Sequence, residues 1–212
     1  MASPPESRWV ALADELLAAA PALPEVALRL QLCGPRPPRE ATTVLTLRPL
    51  GAREATRRSG LELWTVPWAR APRGGLGTHK LTSWAATPVA TRTHPRGQDP
   101  AFEVVFTEGA ELLEGGTSAL AVLVGDALCL PPLDGRILAS VTRARLVALA
   151  PRLGLNVVER PLSRADVAAS EAVLALNALL PVAVARSLDG HPLRGAAADV
   201  VGAITAALAA PA

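Results

Sequence analysis

The length and composition of this chain are those of a globular protein of ordinary charge. It has 212 residues, 50% of them hydrophobic and 19% charged, so it can bury a core and is neither disordered nor fibrous. The formal net charge of +2 is small and the arginines are scattered, which excludes a large basic surface for nucleic acid or for an acidic membrane.

The first third of the chain predicts one helix and three strands. Apolar residues recur at helical spacing between Ser3-Pro4-Pro5 and Pro21, which predicts an amphipathic helix. Alternation of apolar and polar residues predicts strands from Val26 to Leu32, from Thr42 to Arg48 and from Leu61 to Trp68. The polar stretch from Gly51 to Ser59 indicates no function. We therefore expect a partial small N-terminal domain over residues 1–73.

The middle of the chain begins with a glycine-rich stretch from Ala69 to Gly77. This composition predicts a linker, at residues 74–79, ahead of a large domain over residues 80–212. A short helix is expected from Leu81 towards Pro88, where the proline would end or kink it. Strands are expected next at Phe102 to Thr107, at Leu112 to Glu114, and at Ala119 to Val124 and Ala127 to Leu130 as a hairpin.

The last third alternates helices and strands. A helix is predicted from Ser140 to Leu153, with Gly154 as its stop, and Ser163-Arg164-Ala165-Asp166 predicts a short capped helix. The other predicted elements are strands at Leu155 to Arg160, Ala172 to Asn177 and Val182 to Leu188, and a final helix at Ala196 to Ala209. The predicted fold class is therefore α+β with many antiparallel strands.

Cysteine, histidine and hydropathy patterns narrow the class of protein further. Cys33 and Cys129 each lie inside an apolar run, which predicts two reduced core thiols. The histidines His79, His94 and His191 lack the spacing of metal ligands, so we expect no metal. No stretch reaches the roughly 18 apolar residues of a membrane span, and Met1-Ala2-Ser3-Pro4-Pro5-Glu6 shows no basic region followed by an apolar stretch, so we expect no signal peptide. We expect a cytoplasmic protein without a membrane partner.

The only lysine of the chain is Lys80, in Gly77-Thr78-His79-Lys80-Leu81. Arginine stays protonated, whereas a partly desolvated lysine can lose its proton, attack a carbonyl and form a Schiff base. Taken alone, this residue is better explained as an ordinary surface charge, because most lysines are exposed and inert. Its chemical interpretation depends on the motifs that follow it.

Four motifs occur in a fixed order. They are Lys80, Leu112-Leu113-Glu114-Gly115-Gly116-Thr117-Ser118-Ala119-Leu120, Pro131-Pro132-Leu133-Asp134-Gly135-Arg136-Ile137-Leu138-Ala139-Ser140-Val141-Thr142-Arg143 and Leu176-Asn177-Ala178-Leu179-Leu180-Pro181-Val182. Together they resemble the class IV aminotransferases, the fold-type IV pyridoxal phosphate enzymes, and most of all the aminodeoxychorismate lyases among them. The resemblance is close from Lys80 to Leu193 and looser from Val26 to Gly77.

The resemblance implies an architecture and a set of ligands. The fold would be that of the fold-type IV enzymes, with a partial small α/β domain and a larger domain whose barrel-like, mostly antiparallel sheet is flanked by helices. The cofactor would be pyridoxal 5'-phosphate, and the substrate a small amino-acid-like molecule. The chain would form a homodimer with its sites near the subunit interface.

The resemblance also implies roles for two residues that carry chemistry. Lys80 would be the catalytic residue, which binds the cofactor as a Schiff base and moves the proton at the alpha carbon of the substrate. That double role needs an amine whose proton affinity is lowered by an apolar, partly cationic site. Glu114 would pair with the pyridine nitrogen and keep it protonated; the alternative is an exposed carboxylate at a strand end.

Two further motifs would bind the phosphate. Val141 and Thr142 match the phosphate-binding pair of the family, and a helix start independently favours an anion there. Asn177 and Ala178 match a turn that contacts phosphate and substrate carboxylate. The alternatives are structural: Ser140 simply caps a helix, and Asn177 simply makes a turn.

The chain departs from the family pattern in three places. Ala119 stands where an asparagine is usual, and Trp84 and Ala85 where many members have a tyrosine; the chain contains no tyrosine. Family members also normally carry a further N-terminal segment with an arginine for the phosphate. We therefore expect either a start that lies upstream or a shortened homologue with an altered site.

Three functions remain open from the sequence. The first is a lyase that converts 4-amino-4-deoxychorismate to 4-aminobenzoate and pyruvate in folate biosynthesis. The second is a class IV aminotransferase acting on branched-chain or D-amino acids. The third is a truncated, non-catalytic homologue that acts through dimer contacts.

Overall fold

The computed structural model describes residues 6–20, 25–34, 42–71, 75–81 and 85–210. Contacts within the chain define two units, Met1–Ala52 and Arg53–Ala212. Pro4 and Pro5, which predict the start of the first helix, lie outside the described residues, and so does Trp84.

The first unit consists of one helix and a two-stranded ribbon. Helix α1 (Glu6–Ala19) packs against β2 (Thr42–Pro49), which pairs antiparallel with β1 (Val26–Cys33). The predicted helix and both strands are confirmed. The prediction of a core thiol at Cys33 is wrong, because this residue ends a ribbon of only two strands and is exposed, whereas Cys129 is buried as predicted.

The second unit contains a mixed ten-stranded sheet. Its strands are β3 (Leu61–Val66), β4 (Phe102–Glu108), β5 (Glu111–Gly115), β6 (Ala119–Val124), β7 (Ala127–Leu130), β8 (Asn156–Glu159), β9 (Leu162–Ser163), β10 (Ala172–Leu176), β11 (Ala183–Leu188) and β12 (His191–Pro192). Their order is β8-β7-β6-β10-β11-β3-β4-β5-β9, with β12 paired to β11. Pairs β11–β3, β3–β4 and β7–β8 are parallel and the others antiparallel, so the predicted α+β class with a mostly antiparallel sheet is confirmed.

Strand β3 shows where the predicted domain division fails. The predicted small domain includes Leu61 to Trp68, but β3 pairs with β11 and β4 inside the large sheet. The contact units accordingly divide after Ala52 rather than at residues 74–79. The reason is physical: a period of two identifies a strand, but it does not identify a partner more than a hundred residues away.

Six α-helices lie in the described chain, five of them after the ribbon. They are α2 (Ala52–Arg58), α3 (Ala86–Thr93), α4 (Val141–Leu149), α5 (Arg164–Ala169) and α6 (Ala198–Ala209), in addition to α1. The helix expected from Leu81 falls partly on residues 82–84, which lie outside the described residues, and the expected end or kink at Pro88 is wrong, since α3 begins at Ala86 and Pro88 lies in its first turn. Proline is tolerated there because the amide proton that it lacks has no partner within the helix.

The sheet is buried on both faces. Along β6, Leu120 and Val122 belong to one apolar cluster, and Ala121 and Leu123 belong to another. The second cluster includes Leu146 of α4 and residues of α6, so these helices cover that face. This arrangement explains why the strands are almost continuously apolar.

The described residues offer neither a membrane span nor a metal site. No helix among them is long and apolar enough to cross a bilayer. They also contain no group of three or more histidine, cysteine, aspartate or glutamate side chains placed to hold a metal ion.

The start of α5 provides a first prediction. Asp166 Oδ2 accepts from the amide of Ser163 at 2.7 Å, while Ser163 Oγ accepts from the amide of Asp166. Arg160 and Ser163 hold the pKa of Asp166 below its ordinary value of 3.8. This stabilisation is therefore present above pH 3.8 and is lost as the pH falls below it. We expect Asp166→Ala to lower the free energy of unfolding by about 0.5–2 kcal/mol at pH 7.

Urea unfolding of the wild type and of Asp166→Ala at several pH values measures this effect. The difference between the two proteins should shrink as the medium becomes more acidic than pH 3.8. A difference that is constant across that range would contradict the assignment.

Candidate active site

A buried carboxylate lies at the centre of the site. Glu114 is the fourth residue of β5 and its side chain is 6% exposed. Its Oε2 accepts from the amide of Leu138 at 3.0 Å, and its Oε1 accepts from Nε of Arg70. Burial raises the pKa of Glu114, and the Leu138 amide, the Arg70 guanidinium and the charge of Lys80 act against that rise. The alternative interpretation of Glu114, an exposed carboxylate at a strand end, is therefore wrong.

Lys80 lies close enough to Glu114 for its charge to act on that carboxylate. It follows a turn of 3₁₀ helix over Leu76–Thr78 and is exposed. Lys80 is an exposed residue, whereas partial desolvation is expected of its amine. The structure thus places Lys80 where its charge acts on the buried Glu114.

The turn before Lys80 is packed rather than a loose linker. Gly77 is buried, and a Cβ added to it would lie 2.4 Å from the carbonyl oxygen of Gly135 and 2.7 Å from the carbonyl carbon of Arg136. Nη2 of Arg70 donates to the carbonyl oxygen of Gly77 at 2.7 Å. The segment that carries Lys80 is therefore fixed against the loop that contains Leu138.

This close approach predicts a cost for any side chain at Gly77. Because the atoms that a Cβ would meet are backbone atoms, they cannot rotate away, and we expect Gly77→Ala to destabilise the protein by about 1–3 kcal/mol. The matched control is Gly195→Ala, where an added Cβ meets nothing within 4 Å. Thermal unfolding of both variants measures the difference, and equal melting temperatures would contradict the packing described above.

A buried arginine holds the loop that presents Leu138. Arg136 is 4% exposed and pairs with Asp134 at 2.5 Å, Glu111 at 2.6 Å and Glu108 at 2.9 Å. The Asp134 hydrogen bond, followed by those of Glu111 and Glu108, raises the pKa of Arg136, although burial acts in the opposite direction. The loop is thus anchored to both ends of the turn between β4 and β5.

Helix α4 begins where the phosphate motif predicts. Ser140 is its N-cap, and Ser140 Oγ accepts from the amide of Arg143 at 3.3 Å. The capping role of Ser140 is confirmed, and within the first turn Val141 is exposed while Thr142 and Arg143 are buried.

Asn177 makes the turn that follows β10. Its Oδ1 accepts from the amides of Leu179 at 2.9 Å and Leu180 at 2.8 Å, so the side chain organises the turn. Ala178 is exposed. Because β10 and β7 both run antiparallel to β6, the turn after β10 and the loop after β7 lie at the same end of the sheet, where β6 begins at Ala119.

Three buried side chains that hold the site carry no signal in the sequence. Arg70 contacts Glu114, Arg136 holds the loop of Leu138, and Glu103 accepts from the amide of Thr117 at 2.7 Å in the turn after Glu114. Arginines are numerous in this chain, so no spacing distinguishes these from surface charges. Only the fold reveals which of them are buried and paired.

Comparison with known proteins places the chain in a family. Residues 1–188 match the sequence model of the family described as amino-transferase class IV. The chain belongs to the amino-transferase class IV family. This is an enzyme family, and the predicted fold-type IV architecture is confirmed: a mixed sheet curled as a half-barrel with flanking helices. No curated protein sequence matches the chain significantly.

Solved structures of class IV enzymes superpose on the chain. A hypothetical aminotransferase from Mycobacterium tuberculosis in its PLP-bound form is 25% identical, with a TM-score of 0.84 over 98% of this chain and 77% of that one. Its form bound to alpha-ketoglutarate and PMP gives 0.83 at the same identity and coverage. These structures support pyridoxal 5'-phosphate as the cofactor of this class IV chain.

A lyase is also among the similar structures. A Legionella pneumophila protein provisionally assigned as 4-amino-4-deoxychorismate lyase is 18% identical, with a TM-score of 0.67 over 78% of this chain and 60% of that one. At this identity the likeness concerns the fold alone.

Proposed function

We propose that this class IV chain is a pyridoxal 5'-phosphate-dependent enzyme acting on an amino-acid-like substrate. The proposed catalytic residue is Lys80, and the proposed cofactor-binding residues are Lys80, Glu114, Val141, Thr142, Asn177 and Ala178. The observation that carries the proposal is the buried Glu114 carboxylate, which lies within the field of the only lysine of the chain.

The donor set around Glu114 fits a pyridine ring. An ionised carboxylate offers about four lone-pair sites. Arg70 and Leu138 each donate to a different oxygen, so each oxygen keeps a lone pair for a third donor. The protonated nitrogen of a pyridine ring is such a donor. The carboxylate would then keep that nitrogen protonated in a site shielded from water.

The start of α4 fits a phosphate. Amides in the first turn of a helix and the positive end of the helix dipole favour an anion, and the hydroxyl of Thr142 adds a donor. The turn of Asn177 and Ala178 lies at the same end of the sheet and would supply backbone contacts there. Glu114 and the α4 terminus would thus hold the two ends of one cofactor.

Bound pyridoxal 5'-phosphate supplies an aldehyde that condenses with amines and a ring that withdraws electrons from the alpha carbon of the substrate. Lys80 would hold that aldehyde through its amine and would accept and return a proton at the alpha carbon of the substrate. Glu114 would accept a hydrogen bond from the ring nitrogen and so orient the ring. The exposure of Lys80 leaves room for a substrate to reach the amine.

For the reaction itself, we favour the lyase over the aminotransferase. The supporting feature is the Asn177-Ala178-Leu179-Leu180-Pro181-Val182 motif, which resembles the lyases. The substrate would be 4-amino-4-deoxychorismate, from which Lys80 removes a proton before pyruvate leaves and 4-aminobenzoate forms. This conversion consumes no second substrate, because the two products together contain all atoms of the first.

Amino transfer is the second candidate. The Mycobacterium tuberculosis structure bound to alpha-ketoglutarate and PMP favours it, because alpha-ketoglutarate is an acceptor of amino groups. Branched-chain or D-amino acids would be the donors. In this case Lys80 would have the same proton-transfer role.

A product assay separates the candidates. The purified chain is incubated with pyridoxal 5'-phosphate and 4-amino-4-deoxychorismate without any oxo acid. The lyase predicts equal amounts of 4-aminobenzoate and pyruvate, and none with Lys80→Ala. Glutamate formed from 2-oxoglutarate and a branched-chain or D-amino acid would instead establish the aminotransferase. Failure to bind the cofactor would support the non-catalytic homologue.

We also propose that the chain works as a cytoplasmic homodimer, as the family resemblance implies. Light scattering after size exclusion should then give twice the mass of the chain. The mass of a single chain at working concentrations would contradict the dimer.

A further inference from the structure

Arg70 connects the two halves of the candidate site. It follows β3, and its side chain is 3% exposed. Nε donates to Oε1 of Glu114, and Nη2 donates to the carbonyl oxygen of Gly77 at 2.7 Å. One guanidinium therefore contacts both the buried carboxylate and the turn that ends just before Lys80.

The charge of Arg70 matters because Glu114 is buried. Burial favours the neutral acid, and a protonated carboxyl group would present an O–H donor in place of an acceptor. The groups that oppose protonation are the Leu138 amide, Arg70 and Lys80. Of these, Lys80 would have to release its proton in the proposed chemistry, whereas a guanidinium stays protonated. Arg70 is the permanent counter-charge.

The shape of the guanidinium matters as well. Its donors point in a fixed fork, so that contacts to Glu114 and Gly77 can be made together and in one plane. A lysine ammonium has the charge but not the fork. Gly77 itself is held against Gly135, so the carboxylate, the turn and the loop of Leu138 form one connected unit.

We propose that Arg70 is a positioning residue of the cofactor site, which keeps the Glu114 carboxylate as an acceptor and fixes its place relative to the segment of Lys80. This inference rests on the proposed cofactor role of Glu114 and Lys80. Arg70 touches neither cofactor nor substrate in it and acts through its two partners.

The test compares Arg70→Met, Arg70→Lys and, as a control, Arg194→Met, which changes an exposed arginine. Circular dichroism first establishes that each variant folds. The Kd for pyridoxal 5'-phosphate should rise about ten- to a hundredfold in Arg70→Met, because a protonated or displaced Glu114 would no longer offer a charge-assisted hydrogen bond to the ring nitrogen. Arg194→Met should bind like the wild type.

A second readout needs no cofactor. The carboxyl carbon of Glu114, followed by NMR against pH, should titrate at higher pH in Arg70→Met than in the wild type, since a cause that lowers its pKa is gone. Arg70→Lys should titrate closer to the wild type but still bind the cofactor more weakly, because the contact with Gly77 is lost. If Arg70→Met does not fold, Arg70→Lys alone tests the positioning role of Arg70.

The outcomes distinguish the two proposals. A wild-type chain that binds no cofactor overturns the proposed function and, with it, this inference. A wild type that binds, with unchanged Kd and unchanged Glu114 titration in the Arg70 variants, overturns only the role of Arg70. If Arg70→Lys binds the cofactor with wild-type affinity while Arg70→Met does not, the charge suffices and the forked geometry of the guanidinium donors is not required.

Discussion

Replacement of Lys80 by arginine is expected to abolish turnover while the protein stays folded. Arginine keeps the positive charge near Glu114 but cannot release its proton, so it can neither bind an aldehyde nor transfer a proton at the alpha carbon. Loss of proton transfer alone lowers kcat by about 10²–10⁴-fold. Because Lys80 is the only lysine, no second side-chain amine can take its place. Initial rates of 4-aminobenzoate formation measure the effect.

Because Lys80 is exposed, a loss of activity in this variant can be separated from a loss of stability. An exposed side chain contributes little packing, so the melting temperature of Lys80→Arg should match that of the wild type. Substitution of the exposed Arg194 by methionine serves as the control for activity. Wild-type turnover in Lys80→Arg would remove Lys80 from the mechanism.

Replacement of Glu103 by alanine is expected to cost about 3–5 kcal/mol of the free energy of unfolding, because it leaves a buried arginine without its partner. The side chains of Arg57 and Glu103 are 7% and 3% exposed and form an ion pair. Glu103 also accepts from the amide of Thr117 at 2.7 Å and from the hydroxyl of Ser118 at 3.3 Å. The turn after Glu114 should therefore loosen together with the loss of stability.

Urea unfolding of three variants isolates the buried pair. Removal of both partners in Arg57→Met with Glu103→Ala should recover part of the loss, because no uncompensated charge remains. An exposed pair provides the control: Arg96, 44% exposed in its pair with Asp99, should cost no more than about 1 kcal/mol as Arg96→Ala. A cost for Glu103→Ala as small as this would show that the pair is not buried in solution.

Local chemistry made several elements predictable. The hairpin of β6 and β7 has the predicted bounds, because Gly125-Asp126 is a short turn between two apolar runs. The caps Ser140 and Ser163 and the stop at Gly154, with φ of 72°, are also where the sequence places them. These features depend on residues within four positions of one another.

The interactions that could not be predicted from the sequence join residues far apart in the chain. Strand β3 joins β11 and β4 across the chain, and Arg70 meets Glu114 over a separation of 44 residues. Family motifs indicated Lys80 and Glu114 but not the buried Arg70 and Glu103 that hold the carboxylate and its turn. A charged residue in the sequence does not reveal whether it will be buried, and burial here decides its role.

The most direct test of the cofactor site is to identify the residue to which the cofactor becomes covalently attached. The protein is mixed with pyridoxal 5'-phosphate, reduced with borohydride, digested and analysed by mass spectrometry. We predict a single labelled peptide, with the reduced cofactor on Lys80, and a label that weakens in Glu114→Ala. Label on the N-terminal amine alone, or no label at all, would contradict the assignment of Lys80 as the cofactor-binding lysine.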